Sequence, residues 1–242
     1  ETFKGVPLLL PREGPYDIDL NLTFFRLKGK SHCLKIPHSS IVELFLLPKG
    51  APESDVFVIM EIEKSDSLPP YIVLEEASNG RVTNALQDMF DDKIKGPDKI
   101  LKAYYGASEG WLYTLERLIF FLPRPFMMIE YDKIERIKFV KHSNTKEHYK
   151  FFIKVNNEPE NSFMIWKKDA QPLLEYMSGK GVKCSNVEKQ VAEWEKELKA
   201  KQDEVKALVK TEAATEIQAE ITAEILQLEE KIQSAREGPK AI

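Results

Sequence analysis

Cysteine is nearly absent from this chain. Cys33 and Cys184 are the only two among 242 residues. So sparse a pair builds no disulfide framework and fits a reducing compartment. No glycine-rich phosphate loop, GxSxG or HExxH motif occurs, which removes the commonest signatures of phosphate-binding and hydrolytic enzymes. No apolar run approaches the ~20 residues that cross a bilayer. The chain opens Glu-Thr-Phe, with neither Met nor a signal-like apolar segment, and is expected to be part of a longer protein. A surplus of one charge is also missing. The net charge is −4, which argues against a strongly nucleic-acid-binding protein. Residues 1–95 carry −4, 96–183 carry +4 and 184–242 carry −4, so only the middle block is basic, and mildly.

What the chain has in quantity is strand. Residues 108–140 are the densest apolar stretch. Trp111–Leu115, Leu118–Leu122, Phe126–Tyr131 and Ile134–Val140 read as a meander cut by turn formers such as Pro123-Arg124-Pro125. Before it, Val6–Leu10, Asp17–Leu22, Phe24–Leu27, Cys33–Ile36, Ile41–Leu47, Val56–Ile62 and Tyr71–Leu74 predict about seven strands. Ile41–Leu47 is apolar apart from Glu43, as in a strand buried on both faces. Val82–Ile94 then shifts to helical spacing and stops at Gly96-Pro97. Residues 98–183 repeat the plan. Leu101–Tyr105 opens it, and Tyr149–Val155 and Ser162–Trp166 follow the meander. A helix with Asp169 as N-cap runs to Met177 and stops at Gly179 or Gly181. Seven strands and a helix in ~90 residues suggest a small, partly open barrel plugged by its helix.

Residues 186–236 contain no Gly or Pro and predict helix, roughly 75 Å long if straight at ~1.5 Å per residue. Val191, Trp194, Leu198, Ile217, Ile221, Ile225, Leu228 and Ile232 form its apolar seam. From Val205 the spacing becomes four throughout, so either the superhelix unwinds or the helix breaks near Thr211–Thr215 into a hairpin. Both forms are open, as is whether the seam packs within the chain, on a second copy by self-association, or on a partner; the stutter disfavours one uninterrupted two-stranded coil and predicts an antiparallel arrangement, within the chain or between chains.

Several segments carry a family resemblance. ETFKGVPLLLPR at 1–12, Lys35 to Ile41, Leu44–Pro48, SEGWLYTLER at 108–117 and Ile134–Phe139 resemble the middle domain of the structure-specific recognition protein/Pob3 family. That family is the small subunit of the FACT histone chaperone. The resemblance covers residues 1–183. It implies an α+β, mainly β fold of two tandem pleckstrin-homology-like (PH-like) barrels, at 1–95 and 98–183, each closed by a C-terminal helix. A long amphipathic helix or helical hairpin follows at 186–236. It also implies a nuclear protein that binds histones and helps disassemble and rebuild nucleosomes; the missing catalytic motifs and ligand clusters add the expectation of no enzymatic activity, cofactor or metal. Its partners would be histones, a large Spt16-type subunit and, indirectly, nucleosomal DNA, with no membrane. Glu109 and Thr114 depart from the family's Ser and Pro, and the Glu63–Pro70 loop is short. Where the family continues into an acidic segment and a DNA-bending box, this chain has the helix, so DNA bending does not carry over. The rival reading is a PH-type signalling or scaffold adaptor with a coiled-coil segment.

The candidate contact surface is basic: Lys133, Arg136, Lys138, Lys141 and His142. At period 2, Arg136 and Lys138 share the strand face opposite Ile137 and Phe139. They would contact histones or an acidic or nucleic-acid partner, or form an ordinary solvated face. His32, Cys33 and His38 lack the spacing of a four-ligand zinc site and read as strand and turn residues. Glu75-Glu76 and Asp91-Asp92 read as solvated acids. The loops where PH domains hold phosphoinositides carry Glu109 here, and Asp17 and Asp19 in the first unit, so lipid binding is not expected.

Overall fold

The computed structural model describes residues 1–50, 55–76, 80–141, 147–210 and 215–237; for 187–191, 204–210, 215–220 and 236–237 it describes the backbone alone. The chain divides into two compact units, Glu1–Tyr131 and Asp132–Ile242.

The first unit opens with seven strands: β1 (Thr2–Leu10), β2 (Gly14–Leu20), β3 (Phe24–Lys28), β4 (Cys33–Pro37), β5 (Ile41–Pro48), β6 (Val56–Ile62) and β7 (Tyr71–Glu76). Helix α1 (Arg81–Phe90) and a two-residue strand, β8 (Ile94–Lys95), follow. The sheet runs β4-β3-β2-β1-β7-β6-β5-β8, and β4 and β8 are its free edges, so it is open rather than a closed barrel. Neighbours are antiparallel except β5 and β8, which run parallel. The seven strands and the helix are those that alternation predicts. The helix is shorter than predicted. It ends at Phe90, and Ile94 belongs to β8, a strand too short to show any periodicity.

Inward side chains of β1–β7 form one core, including Ile18, Phe25, Leu44 and Val58, and α1 closes it with Val82, Leu86 and Phe90. The first-turn N–H groups of α1 find their acceptor in a strand residue. The carboxylate of Glu76, at the end of β7, accepts from Val82 N (2.6 Å) and Thr83 N (2.7 Å) and from the Thr83 hydroxyl. An anion at a helix N-terminus satisfies orphan donors and complements the dipole. Glu76 is therefore buried and not the solvated acid its sequence context suggests. Glu75, its neighbour, pairs with Lys49.

The other face of β5–β7 is apolar too. It is covered by the meander β9 (Lys99–Tyr105), β10 (Ser108–Thr114), β11 (Leu118–Leu122) and β12 (Met127–Glu130). Phe45, Leu47, Phe57, Ile59 and Val73 form a second core with Tyr113, Leu115, Leu118, Phe120 and Leu122. Strand β5 thus sends Leu44 into one core and Phe45 and Leu47 into the other, the double burial its apolar run predicts. Tyr113 is fully buried and donates its hydroxyl to the Pro48 carbonyl (3.2 Å); burial pushes its pKa well up.

The second unit holds β13 (Ile134–Lys141), β14 (His148–Val155), β15 (Asn161–Trp166), α2 (Lys167–Gly179), β16 (Cys184–Asn186), α3 (Val187–Lys210) and α4 (Thr215–Glu237). The strand orders β12-β11-β10-β9 and β15-β14-β13-β16 repeat β4-β3-β2-β1 and β7-β6-β5-β8, down to the parallel last pair, β13 with β16. Phe139, Phe151 and Phe163 lie opposite one another on adjacent strands and stack at 5.7 and 5.1 Å. Helix α2 buries Ala170, Leu173 and Met177. Its N-cap is Trp166 rather than Asp169, which sits in the first turn. It ends at Gly179 with Lys180 as C-cap, and Gly181 (φ +80°) closes it: Gly181 N donates to Ser178 O and Val182 N to Met177 O, a Schellman pattern that requires the left-handed residue glycine supplies. A glycine also governs the meander. A Cβ at Gly110 would lie 2.2 Å from Leu122 O and 2.7 Å from the Phe121 ring. Gly110→Ala is expected to cost about 1–3 kcal/mol, read as a lowered urea midpoint. An unchanged midpoint would mean that β10 and β11 do not approach this closely.

Candidate interaction surface

The seam of the last two helices is the simpler of the two predicted surfaces. The helix is a hairpin: α3 and α4 are separate and pack together. Lys201 pairs with Glu224, each nine residues from the facing end of its helix, which makes the pairing antiparallel. Ile221, Leu228 and Ile232 are buried, and Trp194, Leu198 and Ile225 are half-buried. The side chains of Val191 and Ile217 lie outside the described residues, as do positions 211–214, where one of the two open forms placed a break. The N-terminal end of α3 runs on directly from β16, which pairs with β13.

The basic surface is built on β13. A register shift between Ile134 and Arg136 restarts the alternation. Ile134, Ile137 and Phe139 point into the core, and Arg136, Lys138 and Val140 point away. Arg136 contacts Glu135 (3.1 Å) and Glu160 (4.0 Å) and is 44% exposed. Lys138 is half-buried and has no ion pair among the described residues. Lys133 and Lys141 are exposed at the two ends of the strand, and both make contacts. His142 lies outside the described residues.

Strand β14 adds cations to the same face. Lys154 lies opposite Arg136, and Lys150 opposite Val140. Lys154 donates to the Glu158 carbonyl (2.6 Å); Lys150 is exposed and unpaired among the described residues. Half-buried Phe152 sits between them, opposite Lys138. The signal for these residues was present in the sequence. Lys150, Phe152 and Lys154 alternate with Phe151 and Ile153 at period 2.

The remaining candidates are dispersed. His32 Nδ1 lies 2.6 Å from Ser31 Oγ and 3.4 Å from Arg12. Cys33 is exposed. His38 makes an edge contact with the Phe90 ring at 4.8 Å, and its Nε2 is buried without a hydrogen-bond partner among the described residues. Among the described residues no three His, Cys, Asp or Glu form a metal-ligand group. The acids expected in PH-type loops lie on strands, Asp17 and Asp19 on β2 and Glu109 on β10, and the last two are paired. Asp19 pairs with Lys28 (2.6 Å) and accepts from Thr2 (2.9 Å), and these bonds hold its pKa low. Glu109 pairs with Lys102 (2.5 Å), which lowers the acid and raises the base.

Burial lowers the pKa of His38. Such a group stabilises the fold above its unfolded pKa, and the stability is lost as pH falls through the folded value. Thermal stability is therefore expected to decline as pH drops below 6.5, and H38N should flatten that decline. Parallel acid melts of the two proteins would contradict this assignment.

Residues 1–109 match the family model of the SSRP1 PH domain, and residues 99–186 that of the middle domain of Rttp106-like histone chaperones. The FACT complex subunit SSRP1 of Catharanthus roseus is 30% identical over 234 positions, covering 77% of this chain and 36% of that protein. Ssrp1 of Drosophila melanogaster is 26% identical, covering 77% and 32%. Subunit pob3 of Schizosaccharomyces pombe is 29% identical over 178 positions, covering 56% and 35%. The chain spans about a third of the length of these relatives. A solved Spt16D–Pob3N heterodimer aligns with 64% of this chain and 82% of its own, at 15% identity and a TM-score of 0.32, too low to fix a fold or a partner.

Proposed function

We propose that this chain, whose residues 1–186 belong to the SSRP1/Pob3 family, is the histone-binding module of a FACT-type histone chaperone. It assists nucleosome disassembly and reassembly as a binding surface in the nucleus, not as an enzyme. Its parts are a first PH-like domain at 1–95, a second at 98–183 and the helical segment at 186–236. Its partners are histones and the large Spt16-type subunit, with nucleosomal DNA engaged indirectly. The observation that carries this reading is the tandem order of the two family matches over residues 1–186. The repeated strand order supports the same division.

The mechanism is competition. A folded surface that occupies histone or histone–DNA contacts lowers the cost of opening the particle without chemistry of its own. The contact residues are Lys133, Arg136, Lys138, Lys141 and His142. Rim charges of this kind set association rate and salt dependence more than they set fold stability.

Pull-downs with purified core histones, reconstituted nucleosomes and phosphoinositide liposomes test the reading. Histones or nucleosomes should be retained and released by salt, and liposomes should not bind. The double variant R136E/K138E should lower retention severalfold at low salt, with the melting temperature little changed because Arg136 faces solvent and Lys138 points away from the core. Liposome capture without histone retention would favour a signalling adaptor and overturn the proposal.

A further inference from the structure

The two repeats can be compared row by row. Each contains the same register shift, between Ile41 and Glu43 on β5 and between Ile134 and Arg136 on β13. Each pairs in parallel with its short last strand at matching positions: Leu44 with Ile94, and Ile137 with Cys184. These two markers make Glu43 equivalent to Arg136, and Phe45 to Lys138. Cross-strand pairing then makes Glu61 equivalent to Lys154, Ile59 to Phe152 and Phe57 to Lys150.

The first face is a docking surface in use. The turn at Leu115 to Leu118 lies on it. Leu115 and Leu118 enter the apolar core, and Arg117 reaches Glu43 (3.1 Å) and Glu61. The second face keeps part of that apolar centre in half-buried Phe152 and Val140. The two acids that receive Arg117 are replaced there by two bases, Arg136 and Lys154. Phe45 and Phe57 are replaced by Lys138 and Lys150, neither of which has an ion pair among the described residues.

We propose that the β13–β14 face of the second unit docks an acidic polypeptide segment, with carboxylates placed between Arg136 and Lys154 as Arg117 is placed between Glu43 and Glu61. Aliphatic or aromatic side chains beside the carboxylates lie on Phe152 and Val140. The inference rests on the reading of β13 as a contact strand and names the chemistry of the partner. Three features favour a polypeptide over duplex DNA. The equivalent face already holds a polypeptide turn. Partly exposed apolar groups stand between the cations. Glu135 and Glu160 beside Arg136 interrupt the row of cations that a phosphate backbone would follow. Both of those ion pairs are at the surface and give way readily to a better-placed carboxylate.

Fluorescence anisotropy on the whole chain provides the test. The probes are a labelled peptide carrying Leu-Glu-Asp-Leu, its Leu-to-Ser counterpart, oligoglutamate and a short DNA duplex. The Leu-bearing peptide should bind most tightly, and salt should weaken it. K150E/K154E should weaken it about tenfold, while K35E on the exposed edge strand β4 changes nothing. Histone retention by K150E/K154E is measured in parallel. Loss of peptide binding supports the acidic-peptide site whether or not histones are retained, and histone retention by the unsubstituted chain bears on the histone reading alone. No peptide binding, binding indifferent to K150E/K154E, or duplex bound in preference to peptide would overturn it.

Discussion

The apolar outer face of β5, β6 and β7 is the constraint on which the first unit depends. Phe45, Leu47, Phe57, Ile59 and Val73 project from it, and each would forfeit roughly 1.5–3 kcal/mol of burial in water. A sheet packed on one side needs only alternation. A sheet apolar on both sides needs a second layer, and β10 to β12 supply it. Tyr113, whose hydroxyl reaches the Pro48 carbonyl, and Arg117, held by Glu43 and Glu61, add direction to that contact. The boundary of the first compact unit therefore falls after the meander, at Tyr131, and not at the end of the first repeat.

Period 2 and its turn formers made β1 to β7 and the meander legible. The double burial of β5 was legible from its unbroken apolar run, but the identity of its cover was not, because patterns name faces and not neighbours. Strands β8 and β16 were invisible at two and three residues. Ile94 continued a helical spacing beyond the true end of α1. Glu76 read as a surface acid because its ligands, Val82 N and Thr83 N, are backbone groups of a later element. In the last segment the change in spacing left a continuous helix and a hairpin both open; it did predict antiparallel packing, but not the pairing of Lys201 with Glu224, which needed three dimensions. On the contact surface, β13 was visible as a basic strand. Lys150 and Lys154 joined it only when the register of β14 was known.

The two repeats keep one topology and spend their outer faces differently. The first is apolar with acids and is occupied by the chain itself. The second is basic with a partly exposed apolar centre. One strand order thus carries two outer faces of different chemistry, the first closed by the chain's own meander and the second proposed as the docking face.

Native-state hydrogen exchange tests the central claim most directly. If β5–β6 and β10–β11 share one core, their slowest amides should exchange with a common free energy and shift together in denaturant. If β10–β11 opens at distinctly lower free energy while β5–β6 stays protected, the meander is an accessory layer and the account of the first unit is wrong.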